Sequence, residues 1–307
     1  MSRTPDSSAV ELSSGKLAQI ACILEATARK PGNVHRFADF DDLDYLDFLL
    51  SASAIAEPLD RAEQEGIGRV VLSAVQATRK VIATNSNLGM ILLLAPMAAV
   101  ARDADLADGL ERVLAGATID DAQLVYEAIR RANPGGMGKV DEQDIADEPT
   151  VTLREAMVLA ADRDLVARQY ANGYREILDD GLPALKRWMD DARPLEIAII
   201  DAYLELLANH PDTLIARKVG WGKAREASRF SREVLESGWP DDREGQNRFR
   251  AFDQWLRSDG NRLNPGATAD LTAAVLFVGL RDGTIKLPRS TGPDGWSGTL
   301  DAPRRFS

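Results

Sequence analysis

The chain has 307 residues, 45% of them apolar and 6% aromatic, and a formal net charge of −11. This length and apolar content predict a globular protein with a sizeable core and exclude a disordered chain. The excess of negative charge argues against a nucleic-acid partner. The single cysteine, Cys22, excludes an internal disulfide, so nothing in the sequence requires an oxidising compartment.

Two further features of the sequence bear on location. The longest apolar run, residues 88–101, is shorter than the roughly 20 residues that a helix needs to cross a bilayer, so we expect no membrane partner. The first residues are polar and lack the apolar core of a signal peptide. We therefore expect a soluble, cytoplasmic protein.

Helical periodicity runs through almost the whole chain, and convincing alternating strand patterns are absent. A Ser13-Ser14 cap precedes the first helix, and Thr152 with Glu155 three residues later predicts a capping box. The predicted helices span, in chain order, residues 17–28, 43–57, 70–83, 88–101, 106–114, 120–132, 151–178, 182–189, 195–208, 224–237, 249–257 and 271–280.

The domain organisation follows from the same pattern. There is no internal repeat and no linker long enough to separate two domains. We predict an all-α fold in which a single multi-helix domain occupies residues 10–285. Residues 286–307 are rich in Gly, Pro and Ser and are predicted to form an extended tail.

Three breaks in the helical pattern point to a ligand pocket. They are residues 25–33, 84–89 and 264–270, and each places small and amide residues before or within an apolar helix start. Backbone N–H groups at helix starts bind anions, so these loops predict a pocket for a phosphorylated ligand without identifying a reaction. A fourth segment, residues 133–139, resembles a phosphate loop only loosely. It lacks the required spacing, and a plain turn is favoured.

Familiar catalytic signatures are absent from the sequence. The two histidines, His35 and His210, lie far apart, and there is no Ser-His-Asp set, no cysteine-rich metal cluster and no HExxH motif. His35 is interpreted as a loop residue, and His210 as the end of a helix before Pro211.

Six short motifs occur between about residue 20 and residue 280. They are Glu25 to Asn33, with its Lys-Pro-Gly; Asp42 with Phe48 and Ser51-Ala52; Asn85 to Gly89; Arg163-Asp164 with Gln169-Tyr170; Asp212-Thr213 with Arg217-Lys218 and Gly220; and Asn264 to Asp270. In this order they resemble the triphosphoribosyl-dephospho-coenzyme A synthase family, which makes the prosthetic-group precursor of citrate lyase and malonate decarboxylase.

The resemblance implies an all-α fold and a transferase that uses ATP as a ribosyl donor. In the family reaction, the 2′-hydroxyl of dephospho-coenzyme A attacks the anomeric carbon of ATP, adenine leaves, and the triphosphate stays on the ribose. Such chemistry requires a carboxylate near the oxocarbenium-like centre and a general base. It also requires Mg²⁺ and basic side chains for the phosphates.

Candidate residues for these roles come from the motifs. We expect Asp42 and Asp164 to be catalytic, and Asp164 and Asp270 to hold Mg²⁺. The expected nucleotide-binding residues are Lys30, Asn85, Asn87, Arg163, Gln169, Arg217, Lys218, Asn264 and Gly266. We predict that one central polar cleft is lined by Lys30, Asp42, Asn85, Asp164, Arg217 and Asp270.

Simpler interpretations of the same residues stay open. The basic side chains could be solvated, and the asparagines could cap helices. Asp164 could pair with Arg168 one helical turn on, and Asp270 could only favour a helix start.

The departures from the family pattern predict a divergent branch. Asn87 and Leu88 stand where the family has His and Lys, and Ala267 replaces a glycine. After the first motif, Asn33-Val-His35-Arg36 replaces a Leu-Val-Asp-Arg-like segment. We therefore expect poor turnover of dephospho-coenzyme A and a natural target other than citrate lyase, unless Arg36 or Lys139 compensates.

Several functional alternatives remain at this stage. We expect a phosphorylated ribosyl group to move from ATP or a related nucleotide to a hydroxyl of a nucleotide-like acceptor. The alternatives are a transferase for another phosphoribosylated cofactor, such as a pterin-like one, and a non-catalytic nucleotide-binding protein. The sequence leaves a homodimer open.

Overall fold

The computed structural model describes residues 12–134, 142–191 and 193–287. Within these ranges the protein is built from helices and has no β-strand, so the predicted all-α class is confirmed. The helices are α1 (Ser14–Thr27), α2 (Tyr45–Ala54), α3 (Ala56–Asp60), α4 (Ala62–Glu65), α5 (Ile67–Val81), α6 (Leu88–Ala98), α7 (Leu106–Ala115), α8 (Ile119–Ala132), α9 (Leu153–Ala160), α10 (Leu165–Asn172), a π-helix (Glu176–Gly181), α11 (Leu182–Asp190), α12 (Leu195–Asn209), α13 (Thr213–Val219), α14 (Trp221–Glu236), α15 (Arg243–Leu256) and α16 (Gly266–Arg281).

Two features of the sequence prediction fall mostly outside these ranges. Lys139, with most of the loosely glycine-rich loop, and almost all of the predicted tail lie outside the described residues. Among the helices that are described, none combines the length and the apolar character that a bilayer crossing demands.

Helices α6, α12 and α16 form the centre of the protein. Ten of the eleven residues of α6 are buried, and so are thirteen of the sixteen in α16. A helix that is apolar on all sides is stable only when other elements cover it completely. Accordingly, α1 packs along α16, while α6 and α12 also contact α16.

A proline inside α6 explains part of the packing around it. Pro96 has no N–H, so it cannot bond the carbonyl of Leu92 four residues earlier. The hydroxyl of Tyr170 on α10 donates to that carbonyl instead, at 2.6 Å, and the hydroxyl of Tyr174 donates to the carbonyl of Leu93 at 3.1 Å. Both tyrosines are fully buried. The tyrosine of the fourth motif therefore supplies a hydrogen bond that the proline removes.

The predicted single helix over residues 151–178 is wrong, because the chain breaks there twice. Asp164 is extended, with φ −141° and ψ 117°, and caps α10 rather than continuing α9. Gly173 and Tyr174 then both have positive φ, at 74° and 65°, which ends α10 before the π-helix. The capping box of Thr152 and Glu155 at the start of α9 is confirmed.

The three predicted helix-start breaks have different outcomes. α6 starts at Leu88 and α16 at Gly266, as the second and third breaks predict. The first prediction is wrong, because residues 28–44 form a loop between α1 and α2 and no helix follows Asn33 directly. The short helices α3, α4 and α13 were not predicted, since they are too short to show a clear helical period.

Candidate functional site

A cavity of about 130 Å³ lies among α1, the loop after it, α2, α13 and the starts of α6 and α16. Its polar lining residues are Glu25, Asn33, Asn85, Ser86, Asn264 and Asp270. The remaining lining residues are Val34, Phe40, Leu43, Phe48, Leu88, Gly89, Met90, Leu214, Gly266 and Ala269. Residues of four of the six sequence motifs, separated by up to 245 positions, thus line one cavity, and Leu214 within the span of the fifth motif also contributes.

The acid of the first motif lies inside the cavity, and its lysine lies behind it. Glu25 is on α1, and the chain turns back after α1 so that the Lys30 ammonium lies 2.9 Å from Glu25 Oε1. Lys30 is fully buried and also donates to the backbone carbonyls of Glu25 and Ala28. Burial raises the pKa of Glu25, and the neighbouring Lys30 opposes that rise. Lys30, expected to bind phosphate, is therefore engaged by Glu25 and is not part of the lining.

Asp270 of the sixth motif faces the start of α6. A Cβ at Gly89 would overlap the Asp270 carboxylate, so only glycine allows this close approach of α6 and α16. Burial raises the pKa of Asp270 well above its usual value. The charges of Glu25, Asp212 and Asp164 raise it further, and Arg217 opposes them. No hydrogen bond or ion pair to this carboxylate is found within the part of the chain that the structure describes.

The two asparagines of the third motif point in different directions. Asn85 lines the cavity, and its Oδ1 accepts the N–H of Leu88 at 3.2 Å. Asn87 is buried, and its amide donates to Thr78 Oγ1 at 3.3 Å, away from the lining. Leu88, in contrast, lines the cavity. Where the family motif has His and Lys, this chain therefore presents only an apolar side chain to the cavity.

The start of α16 is tied to α13 by one buried carboxylate. Asp212 Oδ1 accepts the N–H groups of Leu214 and Ile215, at 2.8 and 3.0 Å. Its Oδ2 accepts the N–H and the hydroxyl of Thr268, at 2.7 and 2.9 Å. Asp212 was not among the expected site residues, although its motif was recognised.

The other two expected residues of the sixth motif belong to the lining. Gly266 begins α16, and a side chain there would collide with Leu214. Asn264 carries a buried Oδ1 that has no hydrogen-bond partner among the described residues. A buried acceptor without a donor is unfavourable, so this oxygen is available to a ligand donor.

Asp164 and Arg217 contact each other at the side of the site. Asp164 Oδ1 accepts the N–H groups of Val166 and Ala167, at 2.8 and 3.1 Å, and Oδ2 pairs with the Arg217 guanidinium. Asp164 therefore pairs with Arg217 rather than with Arg168, and neither partner lines the cavity.

The remaining expected residues also lie outside the lining. Asp42 is exposed and accepts from the Asn261 amide at 3.3 Å, and Lys218 donates to the Asn261 carbonyl at 3.0 Å. Arg163 is exposed and donates to the carbonyl of Leu159, at the end of α9. Gln169 is fully buried, with its amide 2.9 Å from Glu176 Oε2. Of the predicted set of six, the structure brings Asn85 and Asp270 to one cavity, and the predicted polar cleft stays a prediction.

Sequence reasoning missed three polar residues of the lining, one of which is Ser86, whose hydroxyl lies 2.6 Å from that of Ser51. Glu25 begins the first motif but was assigned no role. Asn33 was interpreted as part of a departure from the family, and its amide donates to the Tyr203 hydroxyl at 2.7 Å. The Glu25-to-Lys30 spacing is compatible with their contact, but it does not show that Glu25 is buried.

The surroundings of His35 favour its neutral form, which fits its interpretation as a loop residue. Its Nδ1 accepts the N–H of Phe37 at 3.2 Å. Burial lowers the pKa of His35 to about 4, and the positive charges of Arg257 and Lys30 act in the same direction. His35 therefore does not carry charge at neutral pH.

Comparison with solved structures first indicates the class of protein. The fold is similar to a crystal structure from Archaeoglobus fulgidus described as a candidate triphosphoribosyl-dephospho-CoA synthase, with a TM-score of 0.60 and 28% identity over 76% of this chain and 99% of that one. The sequence model of the ATP:dephospho-CoA triphosphoribosyl transferase family matches residues 12–288. The chain belongs to this family, so the predicted resemblance is confirmed.

Relatives with assigned names extend the comparison. A protein of Stutzerimonas stutzeri (strain A1501), named as a candidate 2-(5''-triphosphoribosyl)-3'-dephosphocoenzyme-A synthase, is 31% identical over 115 residues, 37% of this chain and 39% of that protein. A protein of the same name from Malonomonas rubra is 23% identical over 283 residues, 85% of each chain. The match to the first relative, like that to a Pseudomonas fluorescens (strain Pf0-1) protein, thus spans about two fifths of the relative's length.

Proposed function

We propose that this protein is an enzyme that transfers a phosphorylated ribosyl group from ATP or a related nucleotide to a hydroxyl of a nucleotide-like acceptor. The observation that carries the proposal is the cavity in which two carboxyl groups, Glu25 and Asp270, accompany the amides of Asn85 and Asn264. Glycosyl transfer proceeds through an oxocarbenium-like centre that a pair of carboxyl groups can serve. Family membership supports this class of reaction.

Each part of the cavity suits one part of such a donor. Phe40, Leu43 and Phe48 provide an apolar wall against which a flat base or a ribose ring can pack. The Asn264 oxygen, which lacks a partner in the part of the chain that the structure describes, can accept a hydrogen bond from a sugar hydroxyl or a base amine. The start of α6 lines the same cavity, and N–H groups of its first turn other than that of Leu88, which donates to Asn85, can bind an anion.

The phosphates need positive charge, and the described residues that line the cavity include no lysine or arginine. Lys30 is engaged by Glu25, so the cations of α13 are the proposed phosphate ligands. Arg217 and Lys218 are on α13, whose Leu214 is part of the lining. The Arg217 side chain is 27% exposed and has Asp164 as its partner, so it can exchange that contact for a phosphate. We propose that the phosphates lie between the start of α6 and this end of α13.

The two carboxylates expected to hold Mg²⁺ do not fit that role. Both oxygens of Asp164 are occupied, by two backbone N–H groups and by Arg217. Burial and neighbouring acids raise the pKa of Asp270, so metal binding there would require the loss of a proton. The described residues also contain no group of three or more potential metal ligands.

The acceptor is proposed to differ from dephospho-coenzyme A. Leu88 lines the cavity at the position where the family motif has lysine, and Asn87 is turned toward Thr78. Losing a hydrogen bond to a charged group costs about 1.5–3 kcal/mol, which corresponds to roughly ten- to a hundredfold in affinity or rate. The same observation favours a second candidate function, which is a transferase in the biosynthesis of another phosphoribosylated cofactor, such as a pterin-like one.

The experiment measures base release by the purified protein. ATP is incubated with dephospho-coenzyme A and, separately, with other nucleotide-like alcohols, and free adenine and the triphosphoribosylated product are followed by chromatography and mass spectrometry. We expect slow turnover with dephospho-coenzyme A and faster turnover with another acceptor. Nucleotide binding without base release from any acceptor would instead indicate a non-catalytic binding protein.

Matched variants sharpen this test. Asn85→Ala removes a cavity amide and is expected to lower kcat/KM, while Arg163→Ala removes an exposed side chain outside the lining and should leave it unchanged. Leu88→Lys restores the family residue and is expected to raise turnover of dephospho-coenzyme A. Rapid turnover of that acceptor by the unmodified protein would contradict the proposed change of acceptor while supporting the family reaction.

A further inference from the structure

The two carboxyl groups of the cavity have different electrostatic partners. Glu25 has an ammonium group 2.9 Å away, because the fully buried Lys30 is folded back against it. Asp270 receives no hydrogen bond or ion pair from the described residues, and most charged groups that act on it are acids. One acid of the pair therefore has a cation as its direct partner, and the other has none among the residues that the structure describes.

The titratable and charged groups around Asp270 come from α1, the cap of α10 and α13 with its cap, while α6, which also faces Asp270, contributes none. Cys22 and Glu25 are on α1, Asp164 precedes α10, and Asp212 and Arg217 belong to α13 and its cap. Arg217 is the one group among these that favours ionisation of Asp270, and its influence is smaller than that of each acid named. Its guanidinium already pairs with Asp164. Burial raises the pKa of Asp270, and the negative charges of Glu25, Asp212 and Asp164 raise it further.

We propose that Asp270 is the general acid that protonates the departing base and that Glu25 is the general base for the acceptor hydroxyl. This assignment rests on the proposed function. Paired titratable groups whose surroundings separate their proton affinities are typical of acid–base catalysis. The Lys30 contact keeps Glu25 able to take a proton, and the lack of a cationic partner keeps Asp270 able to give one.

The step balances in bonds and protons. The acceptor oxygen forms a bond to the anomeric carbon, and the glycosidic C–N bond breaks with its electron pair on the base nitrogen. The Asp270 proton moves to that nitrogen, and the hydroxyl proton moves to Glu25. The pair gives one proton and gains one, so exchange between the two acids or with solvent restores the starting form.

The test uses a donor whose base is already cationic. 7-Methyladenosine triphosphate needs no proton to release its base, so it does not need a general acid. Asp270→Asn is nearly isosteric. We expect it to lower base release from ATP by about 10²–10⁴-fold, the usual contribution of general acid catalysis, and to lower release from the methylated donor by much less. Equal losses on both donors would overturn the acid assignment.

A second variant probes the base. Glu25→Gln alone would leave Lys30 buried without its partner, so it is combined with Lys30→Met, which removes the charge at similar volume. The double variant should be impaired about equally with both donors, because both still need the hydroxyl proton removed. Rescue of this variant by the methylated donor would contradict the assignment of Glu25.

Two further measurements complete the experiment. The kcat/KM of the wild type for ATP should decrease at high pH, because Asp270 loses its proton there. This decrease should be absent in Asp270→Asn. If the variant still shows it, a different group is responsible for the decrease. The Mg²⁺ dependence of ATP binding should be unchanged in Asp270→Asn, and a marked weakening would make Asp270 a metal ligand instead. If the wild type releases base from neither donor with any acceptor, the proposed function fails rather than the acid assignment alone.

Discussion

Tyr170→Phe is expected to destabilise the protein by about 1–3 kcal/mol, because it leaves a buried carbonyl without a donor. The hydroxyl of Tyr170 lies 2.6 Å from the carbonyl of Leu92, which has no helical partner because residue 96 is proline. Phenylalanine fills the same space, so cavity formation does not add to the loss.

A double-mutant cycle with Pro96→Ala isolates this effect. The alanine of that variant would supply the N–H that the Leu92 carbonyl lacks in the wild type. In that background Tyr170→Phe should cost no more than about 1 kcal/mol, the net value of an ordinary hydrogen bond. The coupling free energy between the two positions is therefore expected to be about 1–2 kcal/mol.

The free energy of unfolding is measured for all four proteins from urea titrations followed by circular dichroism. Tyr174→Phe is the matched control. Its hydroxyl donates to the Leu93 carbonyl at 3.1 Å, and that carbonyl keeps the regular helical donor from Met97. We expect the control to be less destabilising than Tyr170→Phe. The same loss from Tyr170→Phe in both backgrounds would refute the role assigned to the proline.

Two other predictions concern charged residues. Burial raises the pKa of Asp201 from 3.8 to about 7, so the folded state holds a proton that the unfolded state releases, and stability falls as pH rises through this range. Asp201→Asn should therefore gain stability relative to wild type as the pH of the urea titrations rises through that same range, and a constant difference would contradict the shift. Asp164→Asn keeps the cap of α10 but loses the partly exposed pair with Arg217, so it should cost less than about 1 kcal/mol. Asp164→Ala also removes the cap, so it should lower the free energy of unfolding by about 0.5–2 kcal/mol more than Asp164→Asn does, as measured by thermal or urea unfolding. Equal losses in the two variants would mean that the cap contributes nothing.

Much of the helical framework could be predicted because its signals are local. The capping box at Thr152 and the apolar starts at Leu88 and Gly266 depend on neighbouring residues alone. The break at Asp164 and Tyr174 could not be predicted in the same way. The apolar period continues across both positions, while the backbone there is set by contacts with α13 and α6.

The site was predictable as a set of motifs but not as a set of side-chain directions. Asn85 and Asn87 are two positions apart, yet one faces the cavity and the other faces Thr78, because the chain turns into α6 at these residues. Lys30 was favoured over Glu25 as a ligand because exposed lysines bind phosphate. The structure buries this lysine, and only the three-dimensional path of residues 25–30 determines which charge reaches the cavity.

The four hydrogen bonds accepted by Asp212 have a consequence for local opening of the protein. The starts of α13 and α16 are far apart in sequence, yet neither can fray without breaking bonds to the same buried carboxylate. Their amide protons, at Leu214, Ile215 and Thr268, should therefore exchange with solvent as one cooperative unit. The rim of the cavity that these helices form would then open or stay closed as a whole, rather than one helix end at a time.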